Sequence, residues 1–175
     1  TLLGNFMLLN GRTIEHTNMR DVLLARRDLG TKPLLICEGV TLTYEGADEM
    51  SNRLANSFMN YGIAKGDVVA TFMYNSVDHA VVWLACVKLG AIFAAFNVSL
   101  AANELVYSLG DTKAKLIVVD HDLIKVYRQA RAEIQPLPIE VLWHGPQNTE
   151  NFIEFGDLLD GANELPEVEI SPNDP

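Results

Sequence analysis

Between residues 44 and 61, apolar or small residues return at 47, 50, 51, 54, 55 and 58, with Glu45, Asp48, Glu49, Asn52, Arg53 and Asn56 among the places between them. That spacing predicts one helix with a single buried stripe, closed by Gly62 where a left-handed residue belongs. Residues 68–74 then form an apolar run of strand length. Asn75 or Ser76 can cap a helix reaching residue 89, and Gly90 stops it. The alternation continues with a strand over 91–96, a helix over 101–109, a strand over 115–119, a helix over 122–134 and a strand over 139–143. Strands without polar alternation, separated by helices, predict parallel strands buried on both faces.

Upstream, Thr17 is a suitable N-cap for a surface helix over 17–29, with Met19, Val22, Leu23 and Leu29 on its apolar side. Residues 34–37 and 40–43 flank Glu38-Gly39 and predict a small hairpin. Downstream, residues 151–159 read as a short helix. The stretch ELPEVEISPNDP combines three prolines with acids and reads as a linker or strand-entry segment without a period. The expected fold class is α/β: a mostly parallel sheet covered by helices on both faces, with a small N-terminal β-hairpin. Residues 1–163 form the α/β subdomain of an incomplete larger domain, and 164–175 the acidic, Pro-containing segment.

Composition narrows the function classes. At 175 residues, 49% hydrophobic and 21% charged, the chain can bury one sizeable core. All 13 Lys and Arg lie in residues 1–131 beside 13 of the 23 acids, while the other 10 acids stand in 132–175 with no basic residue. An unscreened acidic segment opposes phosphate neutralisation, so nucleic acid is excluded as a partner. The apolar stretch over 80–96 is interrupted by Lys88 and Gly90, which divides it into a buried helix and strand and argues against a transmembrane segment. The N-terminus has no basic leader and no signal-type cleavage site, and Cys37 and Cys86 sit in apolar runs as buried thiols. The cytoplasm is the expected setting. The sequence leaves self-association into a homo-oligomer open.

Candidate chemistry is sparse. The turns after the parallel strands read YNSVD, FNVSLAAN and VVDHD, so no Gly-x-Gly-x-x-Gly fingerprint stands where a dinucleotide needs it, and no Walker loop occurs. Asp120 ends its strand as an isolated acid, the pattern of an N-cap rather than of a phospho-acceptor cluster. His16, His79, His121 and His144 have no partner at metal-binding spacing, and no Gly-x-Ser-x-Gly elbow is present. His79 alone falls in the first turn of a helix at the carboxyl end of a strand, where open α/β sheets bind ligands. Trp83 and Phe96 are large apolar residues near the sheet, best explained by core packing. No residue is assigned to catalysis, to a metal or to a cofactor.

The ordered set over residues 42–120 resembles the opening of the AMP-forming acyl-CoA synthetases, within the adenylate-forming superfamily. It comprises Leu-Thr-Tyr, Ser-Asn-Arg-Leu-Ala, Gly-x-x-x-Gly-Asp, Asn-Ser, Trp-Leu-Ala with Lys-x-Gly-Ala, Asn-x-x-Leu, Glu-Leu and Ala-Lys. The resemblance implies a whole enzyme, of fatty-acid or carnitine CoA-ligase type, in which a carboxylate attacks the α-phosphate of ATP with Mg, and CoA thiol then displaces AMP. It implies that the phosphate loop, the Mg-binding acids and the catalytic lysine lie outside this sequence, so that this chain alone is inactive and holds no cofactor. In relatives a proline precedes the Asn-x-x-Leu loop and an arginine stands within it; here Ala95 and Ser99 occupy those places, which weakens the case for CoA as acceptor. Asn97, Val98 and Ser99 are, with His79, the substrate-proximal candidates. The alternative is a non-catalytic α/β module that docks a partner through its acidic C-terminal segment.

Overall fold

The computed structural model describes the backbone of residues 7–9 and 12–14, and residues 18–145, 151–171 and 174 in full. Two short antiparallel hairpins come first, β1 (Met7–Leu9) with β2 (Arg12–Ile14) and β3 (Pro33–Cys37) with β4 (Val40–Thr43). The second is the predicted hairpin. Its turn places Glu38 at φ +49° and Gly39 at φ +81°, the two left-handed residues that match a two-residue loop to the twist of its strands.

Between the hairpins, α1 (Met19–Leu24) is shorter than the predicted 17–29 helix. Asn18 caps it by accepting from Asp21 N at 2.9 Å, and the chain tightens into a 3₁₀ turn at Arg27–Leu29. Thr17, the expected cap, lies outside the described residues. No residue of α1 is fully buried, so packing does not carry it further.

Thr43 Oγ1 accepts from Gly46 N at 3.0 Å and opens α2 (Tyr44–Asn60), which buries Ala47, Ser51, Leu54, Ala55 and Phe58 along the expected stripe. Gly62 follows at φ +83°. The alternating part then runs β5 (Val68–Phe72), α3 (Val77–Leu89), β6 (Ile92–Ala95), α4 (Ala102–Thr112), β7 (Leu116–Asp120), α5 (Ile124–Arg131), β8 (Ile139–Trp143) and β9 (Ile153–Glu154). α4 continues through Gly110, past the expected end at 109, and Lys113 closes it at φ +52°. The expected helix over 151–159 is instead β9 followed by a 3₁₀ helix, Phe155–Asp160. Ile153 and Glu154 pair with Val141 and Leu142, covering the edge that β8 would otherwise leave open.

The five strands are all parallel, in the order β6-β5-β7-β8-β9. Alternate side chains serve opposite faces, as the pleat requires. Val69, Leu116, Val118 and Val141 pack with α2 and α3, whereas Ala70, Phe72, Ile117, Val119 and Leu142 pack with α4 and α5. Cys86 is in the first core, where burial pushes its thiol pKa up, but Cys37 is only half-buried because β3 lies in the outer hairpin. Trp83 is 38% exposed rather than a core residue, because it projects from α3 beside the open edge strand β6. Phe96 packs, half-buried, against the second core.

After the 3₁₀ helix the chain doubles back over α2. Gly161 crosses there so closely that a Cβ would collide with the Arg53 carbonyl oxygen and approach Ser57 Oγ to 2.6 Å. The obstacle is backbone, which cannot rotate away. Gly161→Ala is therefore expected to lower stability by about 1–3 kcal/mol, read from the urea midpoint; an unchanged midpoint would mean that the crossing is looser than described.

Candidate functional site

The chain reverses its strand order between β5 and β7, since β5 leads to α3 on one face and β7 to α5 on the other. In open α/β sheets the crevice at such a point, outside the carboxyl ends of the strands, is where ligands bind. Asp120 fills it here. Its carboxylate is 4% exposed and accepts from Tyr74 N at 3.4 Å, across the crevice, and from Asp122 N at 3.0 Å.

The other helix starts along this edge are also closed by acids or hydroxyls of the chain itself. Ser76 Oγ takes His79 N at the start of α3, and Asp78, in the same first turn, accepts from Trp143 Nε1 at 2.9 Å. Glu104 Oε2 accepts from Ala101 N at 2.8 Å at the start of α4. A helix N-terminus attracts phosphate through its free N–H groups and positive dipole end. A carboxylate stands at each of these turns, and its charge opposes the approach of a polyphosphate.

His79 and Asn97–Ser99 lie near one another along the edge but not in one groove. Thr71, 1% exposed on β5, shares a hydrogen bond through Oγ1 with His79 Nε2 at 2.9 Å, and its carbonyl accepts from Phe96 N at 2.8 Å. His79 faces the α3 side, with its ring 5.6 Å from that of Phe93, while Val98 packs into the core beneath α4. Asn97 Oδ1 accepts from Ser99 N at 2.9 Å, which tightens the loop and occupies the amide that an anion would need. The His79 ring opens onto a 370 Å³ groove lined by Leu35, Cys37, Asn75, Trp83 and Phe93. Burial lowers its pKa, so the imidazole is neutral near pH 7. An uncharged ring among apolar walls can orient a ligand by one hydrogen bond, and offers a carboxylate or phosphate no ion pair.

The profile of AMP-binding enzymes matches residues 25–175. The chain belongs to the AMP-binding enzyme family. It is 29% identical over 164 residues to the 3-hydroxybenzoate/4-hydroxybenzoate CoA ligase of Thauera aromatica, covering 91% of this chain and 31% of that protein. The long-chain fatty-acid CoA ligase FadD13 of Mycobacterium tuberculosis is 31% identical over 135 residues, 77% of this chain and 26% of that one. The solved fatty acyl CoA synthetase of M. tuberculosis superposes with a TM-score of 0.74 at 28% identity, over 90% of this chain and 31% of its own. The chain thus spans less than a third of the length of each of these AMP-binding relatives.

Sequence reasoning missed the most unusual polar group of this AMP-binding fold. In the sequence Lys88 only interrupts an apolar run, yet it is 1% exposed and donates to Asp48 Oδ1 at 2.6 Å, Asp48 O at 2.8 Å and Asn52 Oδ1 at 2.7 Å. The available signal was the pairing of a lysine inside an apolar helix with Asp48 and Asn52, four apart on α2. Among the described residues, no group of three or more His, Cys, Asp or Glu side chains is placed to hold a metal ion, and no helix is long and apolar enough to cross a membrane.

Because the folded-state pKa of His79 lies below 6.5, the unfolded chain takes up this proton first as pH falls. Its contribution is constant above pH 6.5, declines below it, and levels off once the folded-state pKa is passed. Melting temperatures from pH 7.5 down to 5 should show a smaller acid loss for His79→Gln than for the wild type. Equal slopes would mean that the His79 ring is solvated.

Proposed function

We propose that this chain is the N-terminal scaffold of an ATP-dependent, AMP-forming acyl-CoA synthetase. Such an enzyme joins a carboxylate to AMP with release of pyrophosphate, then passes the acyl group to the CoA thiol. The observation that carries this reading is a family fold whose helix starts carry the acids Asp78, Glu104 and Asp120 in place of phosphate-binding glycines. A sheet closed in this way supports a site built elsewhere. ATP, Mg and CoA would be held by the parts that the longer relatives possess and this sequence lacks; when bound, ATP supplies the leaving group that activates the carboxylate.

His79 and the loop of Asn97, Val98 and Ser99 are the residues we assign to the neighbourhood of the substrate. Their support is placement at the carboxyl edge and the apolar groove beside the neutral ring. A fatty or aromatic carboxylate suits that wall, in keeping with the substrates named for the two ligases above. Ser99 supplies no cation for a nucleotide phosphate, so the acceptor is assigned as CoA on family grounds alone. Free thiols at Cys37 and Cys86 suit the reducing cytoplasm, the compartment we assign. In the alternative reading, as an acidic docking module, the backbone of residues 162–169 is engaged by Asn52, Asn56, Arg20 and Lys65 of this chain, which leaves the exposed side chains of Glu164, Glu167 and Glu169 as the docking groups.

The purified chain is expected to show no carboxylate-dependent exchange of pyrophosphate into ATP with benzoate, 3-hydroxybenzoate or palmitate. Robust exchange by this chain alone would sink the scaffold reading, since the phosphate-binding and carboxylate-orienting groups would then have to lie within residues 1–175.

A further inference from the structure

Residues 158–169 are held to the body of the protein by a line of side-chain donors that address main-chain carbonyls. Ser57 Oγ donates to Leu158 O at 2.7 Å, and Asn56 Nδ2 to Ala162 O and Glu164 O, both at 2.8 Å. Asn52 Nδ2 donates to Asn163 O at 2.8 Å, Arg20 to Pro166 O at 2.7 Å and to Val168 O, and Lys65 Nζ to Glu169 O at 2.8 Å. Pro166 is buried and Val168 and Ile170 half-buried, while Glu164, Glu167 and Glu169 are exposed. The alternation is that of an extended strap with one face inward. Its far end brings Ile170, Ser171 and Asp174 into a 480 Å³ groove with Trp83, Ile92 and Phe93, along the open edge of β6.

Asn52 decides which way this hold works. An ammonium group only donates, so Lys88 must face the Asn52 oxygen, and the amide nitrogen is thereby turned toward the strap. We propose that Lys88 and Asn52 form a latch for residues 162–169: Lys88 fixes the orientation of the Asn52 amide, and the oriented amide, continued by Asn56, Arg20 and Lys65, sets the path by which the strap reaches the edge of β6. Asn52 and Lys88 are positioning residues. The hold reads the path of the strap backbone and is indifferent to the outward side chains.

Asn52→Asp separates the two halves of the latch. Aspartate keeps an acceptor for Lys88 but sets a second oxygen against the Asn163 carbonyl, so the strap is repelled while the buried ammonium stays paired. A Glu-specific protease acting on the native 175-residue chain reads the result, because Glu164, Glu167 and Glu169 lie in the strap, and Glu104, exposed in α4 on the opposite face of the sheet, serves as the internal control. Cleavage after Glu164 is expected to be about tenfold faster in Asn52→Asp than in the wild type, with cleavage after Glu104 unchanged. Lys88→Met, which touches no strap residue, should accelerate the same strap sites after normalisation to Glu104. Wild-type rates after Glu164 in Asn52→Asp would overturn the proposal, and so would equal acceleration at Glu104, which marks general loosening. The protease reads the strap alone, so neither outcome depends on the pyrophosphate-exchange result.

Discussion

The ammonium of Lys88 is enclosed between α2 and α3, and much of the architecture on that face follows from the need to satisfy it. Burial lowers its pKa against the opposing pull of Asp48, so the group is stabilised as a donor only by the three acceptors around it. Removing one partner of such a buried pair typically costs about 3–5 kcal/mol, because the other charge is left without compensation. Asp48 also receives Arg27 Nε at 2.9 Å, and Asn52 reaches the strap, so one buried nitrogen ties α2, α3, the 3₁₀ turn and residue 163 together. These elements are distant in sequence and gain a common register through it.

The opposite feature governs the carboxyl edge of the sheet. α3, α4 and the 3₁₀ turn His121–Leu123 that leads into α5 start there, the geometry that elsewhere binds nucleotides, and each start carries an acid of this chain. Asp120 does most, since it lies in the crevice where the strand order reverses and bonds across it to Tyr74 N. The edge is acidic and hydrogen-bonded within the chain. Those are the properties of a wall that supports a neighbouring site, which is how an alternating α/β unit without phosphate-binding glycines fits an AMP-binding family.

The sheet is legible from sequence because its strands are apolar runs without polar alternation and its helices are punctuated by Ser76, Gly62 and Gly90, each of which acts locally. What escaped depends on distant partners. The two residues of β9 carry no pattern of their own and become a strand only by pairing with β8. The strap shows no long period in sequence, although Pro166, Val168 and Ile170 alternate with Glu167 and Glu169. Proline and acid content masked a signal of only five residues. His79 and Asn97–Ser99 lie at strand ends, but their separation onto two faces follows from the route of α4, which local sequence does not specify. Lys88 looked like a defect because its partners lie 40 and 36 residues away.

The most direct measurement is a titration of the ¹⁵N-labelled chain with magnesium pyrophosphate, followed amide by amide. With an acid at each start, Asp78, Glu104 and Asp120, the amides of 77–79, 102–104 and 121–123 should show no saturable shift at millimolar ligand. Saturable shifts confined to any of these three starts would show that the edge binds phosphate itself, and would contradict its role as a supporting wall.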